Sequence, residues 1–165
     1  MTVITTIVIS MDGKLQTELK QTKPFRSLEE EVILNLARTA EHIFARAAGV
    51  LKPAGLTATQ YNVLRILRGA GPEGLTCGEI GGRMVTKESD VTRLLDRVEA
   101  RGFISRERPT SNRRVVVTRI TEDGLRVLSG LDGPVDESNR NLLGHLGEEN
   151  LKTLNRLLEA ARSRD

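Results

Sequence analysis

The chain has 165 residues and a mass of 18.2 kDa, with 38% hydrophobic residues, which suffices for one domain with a buried core. One cysteine excludes an internal disulfide framework, and two histidines make a Cys/His zinc site unfavourable. Aromatic residues at 2% argue against readers of RNA or single strands, which need stacking platforms.

Motifs for catalysis and membrane insertion are also missing from the sequence. It contains no phosphate-binding loop, nucleophile elbow or metal cluster, so it predicts neither an enzyme nor a metal or cofactor. No apolar run reaches the roughly 18 residues that a membrane span needs. We therefore expect a cytoplasmic protein.

Residues 1–26 are predicted to form an N-terminal arm. The β-branched, uncharged segment from Met1 to Ser10 leaves two alternatives open. Either Met11 is the natural start, or the segment adds an edge strand or an intersubunit arm. The stretch from Asp12 to Phe25 is polar, and Pro24 favours extended backbone before it.

A long first helix is predicted from about Leu28 to Leu51. Ser27 and Glu30 form a capping box at its start, and Pro53 and Gly55 follow its end. Its apolar stripe is too long for a helix that only covers the protein surface, so we expect it to lie in a dimer interface. The stripe comprises Ile33, Leu36, Ala37, Ala40, Ile43, Phe44, Ala47 and Leu51.

Two further helices should start at capping boxes, at Thr57 with Gln60 and at Thr76 with Glu79. Another helix should begin between Lys87 and Asp90 and run to Arg101, with Gly102 as its stop. Its apolar residues recur at helical spacing and predict one buried face. These residues are Val91, Leu94, Leu95 and Val98.

A hairpin should follow, with strands over residues 103–106 and 115–120 and turn residues between them. Six arginines and a single acid lie between Arg101 and Arg119, whereas the whole chain has a net charge of only +3. This concentration of charge is typical of a surface that contacts phosphates.

The C-terminal part is predicted to be helical. Thr121 and the acids after it should cap a helix that is interrupted near residues 130–134 and resumes from Val135 to His145. A last helix should follow Gly147. Both ends of the chain are leucine-rich, and pairing across a two-fold axis would bury these residues.

The segment between Ile80 and Arg106, followed by N-R-R-V-V-V-x-R-I-T-x-D-G from Asn112 to Gly124, resembles the MarR family (multiple antibiotic resistance regulators). The resemblance is strongest over residues 56–131. It implies a mainly α fold with a small β-hairpin wing: a winged helix-turn-helix over residues 56–124, within one domain (27–165) whose dimerisation helices are residues 27–55 and 125–165. The family usually has Asp where this chain has Asn112, which accepts a hydrogen bond but lacks the charge.

The resemblance also implies a function: a homodimeric regulator that binds a near-palindrome in double-stranded DNA and represses transcription until a small-molecule effector releases it. The helix from residue 87 would enter the major groove, and the wing would reach the minor groove. Asp90 could equally serve as a helix cap. The expected base-contacting residues are Lys87, Ser89, Asp90, Thr92, Arg93 and Arg97; those of the wing are Asn112, Arg113 and Arg114; those contacting phosphates are Thr76, Arg106 and Arg108.

The effector site is expected between the dimerisation helices and the DNA-binding unit, where His42, Arg46 and Tyr61 could converge; surface positions are the alternative. Cys77 invites a redox role because it follows a helix cap, but a small buried residue is the simpler interpretation. The main alternative function is a winged-helix protein-interaction module without specific DNA binding.

Overall fold

The computed structural model describes residues 14–108 and 115–163. By its internal contacts the chain divides into two compact units, residues 1–43 and 44–165. The segment from Met1 to Ser10 lies outside the described residues, and both alternatives for it stay predictions. Among the described residues, no helix is long and apolar enough to cross a membrane.

Unit 1 contains helix α1 (Lys14–Glu18) and most of helix α2 (Leu28–Leu51). The bounds predicted for α2 are confirmed. The short α1 was not predicted, because four polar residues around Leu15 have no helical periodicity to detect. Leu15 is buried, and the Glu18 carboxylate pairs with Arg38 at 2.8 Å.

Unit 2 consists of small elements around one core. They are α3 (Ala58–Ala70), β1 (Leu75–Thr76), α4 (Cys77–Arg83), α5 (Val91–Glu99), β2 (Ile104–Glu107), β3 (Val117–Ile120), α6 (Glu122–Leu143) and α7 (Glu148–Arg162). The predicted mainly helical fold with a small β-hairpin is confirmed. The capping boxes predicted at Thr57 and Thr76 form. At Ser27 only half of the predicted box forms: its hydroxyl accepts from the Glu30 N–H at 3.2 Å, but the Glu30 carboxylate accepts from the Arg26 N–H at 2.7 Å.

The three strands form an antiparallel sheet in the order β1–β3–β2. Leu75 pairs with Thr118 on one side of β3, and Ile104 pairs with Ile120 on the other. Strand β1 was not predicted, because two residues are too few to show alternation. It ties the start of α4 to the hairpin.

Helix α6 contradicts the predicted interruption near residues 130–134, because it continues through Pro134 to Leu143. Leu128, Leu131 and Val135 lie on the two sides of Pro134, and all three pack against the same core. Packing on both sides of Pro134 outweighs the one hydrogen bond that a proline removes. The prediction of a break was therefore wrong.

The segment from Thr121 to Gly124, which ends the N-R-R-V-V-V-x-R-I-T-x-D-G run, anchors the start of α6. The Thr121 hydroxyl accepts from the Gly124 N–H at 3.2 Å and donates to the Gly102 carbonyl at 2.7 Å. A Cβ on Gly124 would overlap the Phe103 carbonyl oxygen. Both residues are needed to hold the start of α6 against the end of α5.

Candidate nucleic-acid interface

Helix α5 separates its residues cleanly into a buried and an exposed face. Leu94, Leu95 and Val98 are buried in the core, as predicted, and Val91 packs against them. On the other face, Thr92, Arg93 and Arg97 are exposed, and 83% of the Arg93 side chain is accessible. The helix therefore presents a polar, cationic surface that its own packing does not use.

Asp90 is the N-cap of α5. Its Oδ1 accepts from the Arg93 backbone N–H at 2.9 Å, and its Oδ2 lies 3.2 Å from Arg93 Nε. The capping alternative is thus confirmed. A base contact by Asp90 remains a prediction.

The turn between α4 and α5 carries Lys87 and Ser89, both exposed. Its backbone is anchored by Asn62 on α3, whose Oδ1 accepts from the Val85 N–H at 2.9 Å. Val85 itself is 81% exposed. The sequence reasoning missed Asn62, although an asparagine inside an apolar helix signals a side chain with its own partner.

Three of the six hairpin arginines are held by internal contacts. Arg101 donates to the carbonyls of Gly55 at 2.7 Å and Ala54 at 3.0 Å, at the end of the segment that follows α2. Arg119 donates to the Pro72 carbonyl at 2.7 Å and to Glu107 at 3.0 Å. Counting charges in the sequence therefore overstated the cationic surface that the hairpin offers.

The third of these is Arg106 on β2. It donates from Nε to Glu99 at 2.8 Å and from Nη2 to Asp96 at 2.6 Å, and only 25% of its side chain is exposed. These bonds, first that to Glu99, raise the pKa of the Arg106 guanidinium. The expected phosphate contact by Arg106 thus competes with two acids of α5.

The remaining wing residues divide in two. Arg108 is exposed beyond the end of β2. Asn112, Arg113 and Arg114 lie outside the described residues, so their expected minor-groove role stays a prediction.

Thr76 is engaged as a helix cap. Its hydroxyl accepts from the Glu79 N–H at 3.3 Å, and its N–H donates to the Glu79 carboxylate at 2.8 Å, which lowers the pKa of Glu79. A phosphate at this helix start would meet that carboxylate. The adjacent Cys77 is half-buried, with Sγ 3.8 Å from the Thr92 hydroxyl on α5.

The residues expected around an effector lie in different surroundings. His42 lines a polar groove with Lys14, Glu18 and Arg38. Arg46 lines an open groove of about 270 Å³ whose other walls come from α6, at Pro134, Glu137, Ser138 and Asn141. The Tyr61 ring lies under the Arg65 guanidinium at 5.9 Å.

The comparisons with known proteins agree with this architecture. The family model described as the MarR family matches residues 56–116. The HTH-type transcriptional regulator YcgE of Bacillus subtilis is 33% identical over 137 residues, which cover 81% of this chain and 86% of the relative.

Solved structures show the same fold. The crystal structure of a MarR transcription factor from Planctomyces limnophilus is 39% identical and has a TM-score of 0.64, covering 83% of this chain and 99% of that one. The MepR–DNA complex from S. aureus has a TM-score of 0.70 at 23% identity, covering 78% and 95% of the two chains. At that identity the likeness shows the fold alone.

Proposed function

This chain belongs to the MarR family of transcriptional regulators, and on that premise we propose that it is a homodimeric repressor of transcription. The dimer binds a near-palindromic site in double-stranded DNA, with one α5 in each of two successive major grooves. As a regulator of this kind it acts in the cytoplasm. The observation that carries the proposal is the exposed polar face of α5.

Base reading falls to that face and to the turn before it. The Arg93 guanidinium, exposed and paired to Asp90 only through Nε, has a fork of donors that suits guanine O6 and N7. Arg97 lies one turn further along the same face. The base-contacting set is Lys87, Ser89, Asp90, Thr92, Arg93 and Arg97.

The wing supplies the second contact. Arg114, with Arg113 and Asn112 beside it, is proposed to enter the minor groove, where narrow A·T-rich segments attract arginine. Thr76 and Arg108 are proposed to contact phosphates. The support for this part is the resemblance of the wing motif and the charge of the hairpin.

Dimerisation is supported by apolar side chains that the chain itself leaves exposed. Leu28, Ile33 and Leu36 on α2 and Leu157 on α7 are all more than 40% exposed. Exposed apolar side chains such as Ile33 and Leu36, which lie one turn apart on α2, favour burial against a second copy.

Relief of repression is proposed to involve a small molecule. Such an effector can act only through different affinities for the DNA-binding and the released state. The groove lined by Arg46 joins α2 residues to α6 and offers one guanidinium to an anionic group. Whether His42 and Tyr61 contribute to that site stays a prediction.

A second candidate function is a winged-helix module that binds protein and not a specific DNA site. The internal contacts of Arg101, Arg106 and Arg119 favour it, because they leave the hairpin fewer cations for phosphates. Asn112, in place of the family's Asp, favours it as well.

Fluorescence anisotropy with duplex DNA from upstream of the gene, against random duplex at two salt concentrations, tests the proposal. We expect specific binding roughly 10³-fold or more above random, with strong salt dependence. Equal, weak binding to both duplexes, and no site selected from a random library, would favour the protein-interaction module.

Two variants separate the contacts. Arg93→Ala should relax preference at one base position, whereas Arg114→Ala should weaken binding to most sequences and reduce the salt slope by about one. Arg156→Ala, an exposed arginine on α7, is the control and should change neither. Equal loss on specific and random DNA for Arg93→Ala would contradict base reading.

A further inference from the structure

Arg106 on β2 links the wing to helix α5. We infer that Arg106, through its ion pairs with Glu99 and Asp96, is a positioning residue that fixes β2 against α5 and thereby sets DNA specificity. This inference rests on the proposed function. It replaces the phosphate contact that the sequence alone predicted for Arg106.

The bonds join residues from two elements. Glu99 Oε2 accepts from Arg106 Nε at 2.8 Å and from Nη2 at 2.5 Å, while Asp96 Oδ1 accepts from Nη2 at 2.6 Å. Bonds between charged donors and acceptors are about twice as strong as neutral ones, and a guanidinium fork also fixes direction. A lysine could not reproduce this geometry.

The backbone on each side of the link is rigid. Arg106 pairs with the buried Thr118 in the sheet, and Ile104, two residues earlier on the same face of β2, is 2% exposed. Glu99 is the last residue of α5, one position after the buried Val98. The link therefore joins two well-packed segments, and β2 leads by chain connectivity into the wing tip.

The link also removes negative charge from the surface proposed to face DNA. Asp96 borders the same shallow groove as Arg93 and Arg97. Without Arg106, the carboxylates of Asp96 and Glu99 would repel phosphates near those arginines. Arg106 thus serves the interface without touching DNA.

The decisive experiment changes Glu99, because the two roles of Arg106 predict different outcomes for the ratio of specific to random affinity. If Arg106 were a phosphate contact, Glu99→Gln would free its guanidinium and strengthen binding to specific and random duplex alike. If Arg106 positions β2, Glu99→Gln should lower the ratio of specific to random affinity by roughly tenfold, the value of one charge-assisted bond. Glu73→Gln makes the same charge change at an exposed residue between α3 and β1, outside the proposed contacts, and is the matched control.

Two further variants keep the test sound if Glu99→Gln reduces stability. Asp96→Asn should lower the ratio in the same direction but less, since it removes the charge from the acceptor of one bond, whereas Glu99 accepts two. Arg106→Lys keeps the positive charge and should lose as much specificity as Arg106→Gln; retained specificity in the lysine variant would overturn the positioning role. Each variant is compared at a temperature where its circular dichroism matches the wild type.

A DNA-free measurement separates this inference from the proposed function. In ¹⁵N NMR spectra of the full chain, the Arg106 Nε–Hε signal should be protected from exchange, and Glu99→Gln should abolish that protection. A signal exchanging as fast as that of exposed Arg156 would overturn the link itself. If protection depends on Glu99 but no duplex is preferred over random DNA, the proposed function fails and the specificity role of Arg106 fails with it.

Discussion

The DNA-binding part of the chain and its terminal helices differ in how far they bury their apolar side chains. In residues 56–131 the large apolar side chains of the core, such as Leu64 and Leu95, are at most 6% exposed. On α2 and α7, by contrast, Ile33 and Leu157 are 64% and 63% exposed. The first region buries its large apolar side chains within one chain, whereas the terminal helices leave several of theirs at the surface, as the proposed dimer would require.

The largest expected effect on the free energy of unfolding comes from the core of residues 56–131. Leu64→Ala should lower the free energy of unfolding by about 2–5 kcal/mol, because a fully buried leucine leaves a cavity. Leu157→Ala, the matched change at an exposed leucine, should cost less than about 1 kcal/mol in dilute protein. Urea unfolding at two protein concentrations measures both. Equal losses at low concentration would end the distinction between the two regions.

A charge on the exposed stripe of α2 should impair the proposed dimer rather than the folding of the chain. Ile33→Glu places a charge on the exposed stripe of α2 and should yield a folded monomer, since burying an unpaired carboxylate is costly. Losing bivalent contact should weaken binding to a palindrome by at least about 100-fold. Sedimentation and anisotropy measure the two effects.

Asn35→Glu is the control for this change. It adds the same charge two residues away, on the opposite side of the helix, and should leave the dimer intact. A dimeric Ile33→Glu protein would mean that this stripe does not form the interface.

Two glycines of helix α6 should respond to alanine substitution with opposite changes in stability. Gly124→Ala should destabilise by about 1–3 kcal/mol, because the added methyl group overlaps the Phe103 carbonyl. Gly133→Ala, where an added Cβ has open space, should stabilise by about 0.5–1 kcal/mol. Thermal unfolding compares them. Stabilisation by Gly124→Ala as well would show that close packing at Thr121–Gly124 matters less than helix propensity.

The smallest expected effect is a pH-dependent stabilisation by the ion pair that joins α3 and α6. Arg68 donates to both oxygens of Asp132, at 2.8 and 2.9 Å, and holds the pKa of Asp132 below its usual 3.8. Because the pKa of Asp132 is lower in the folded chain than in the unfolded chain, the ion pair stabilises the fold at pH values above the unfolded-state pKa. That stabilisation is lost as the pH falls through the folded-state pKa. The pair is partly exposed, so the contribution is small.

Melting temperatures of the wild type and Asp132→Asn across pH measure this contribution. The wild type should melt higher near pH 7, and the difference should close at pH values well below about 3.8. A difference that persists in acid would point to packing and not to charge.

Local patterns predicted many of the individual elements. The capping boxes at Thr57 and Thr76, the bounds of α2 and the buried stripe of α5 could all be predicted, because each depends on residues within one or two turns. The continuity of α6 through Pro134 could not, because it depends on Leu128 and Val135 packing against a distant core. Strand β1 was missed because its signal is only two residues long.

The same division holds for the candidate site. The amino-acid order by itself determined which residues of α5 face outward, since helical periodicity places Arg93 opposite Leu95 and Val98 whatever the rest of the chain does. Only the tertiary structure decided which cations remain available. The partners of Arg101 lie 46 and 47 positions away, that of Arg68 lies 64 away, and Arg106 meets its acids only after the chain has turned from α5 into β2. An arginine's charge is a property of its residue type, but its freedom to bind DNA depends on which carboxylates and carbonyls the fold brings within about 3 Å.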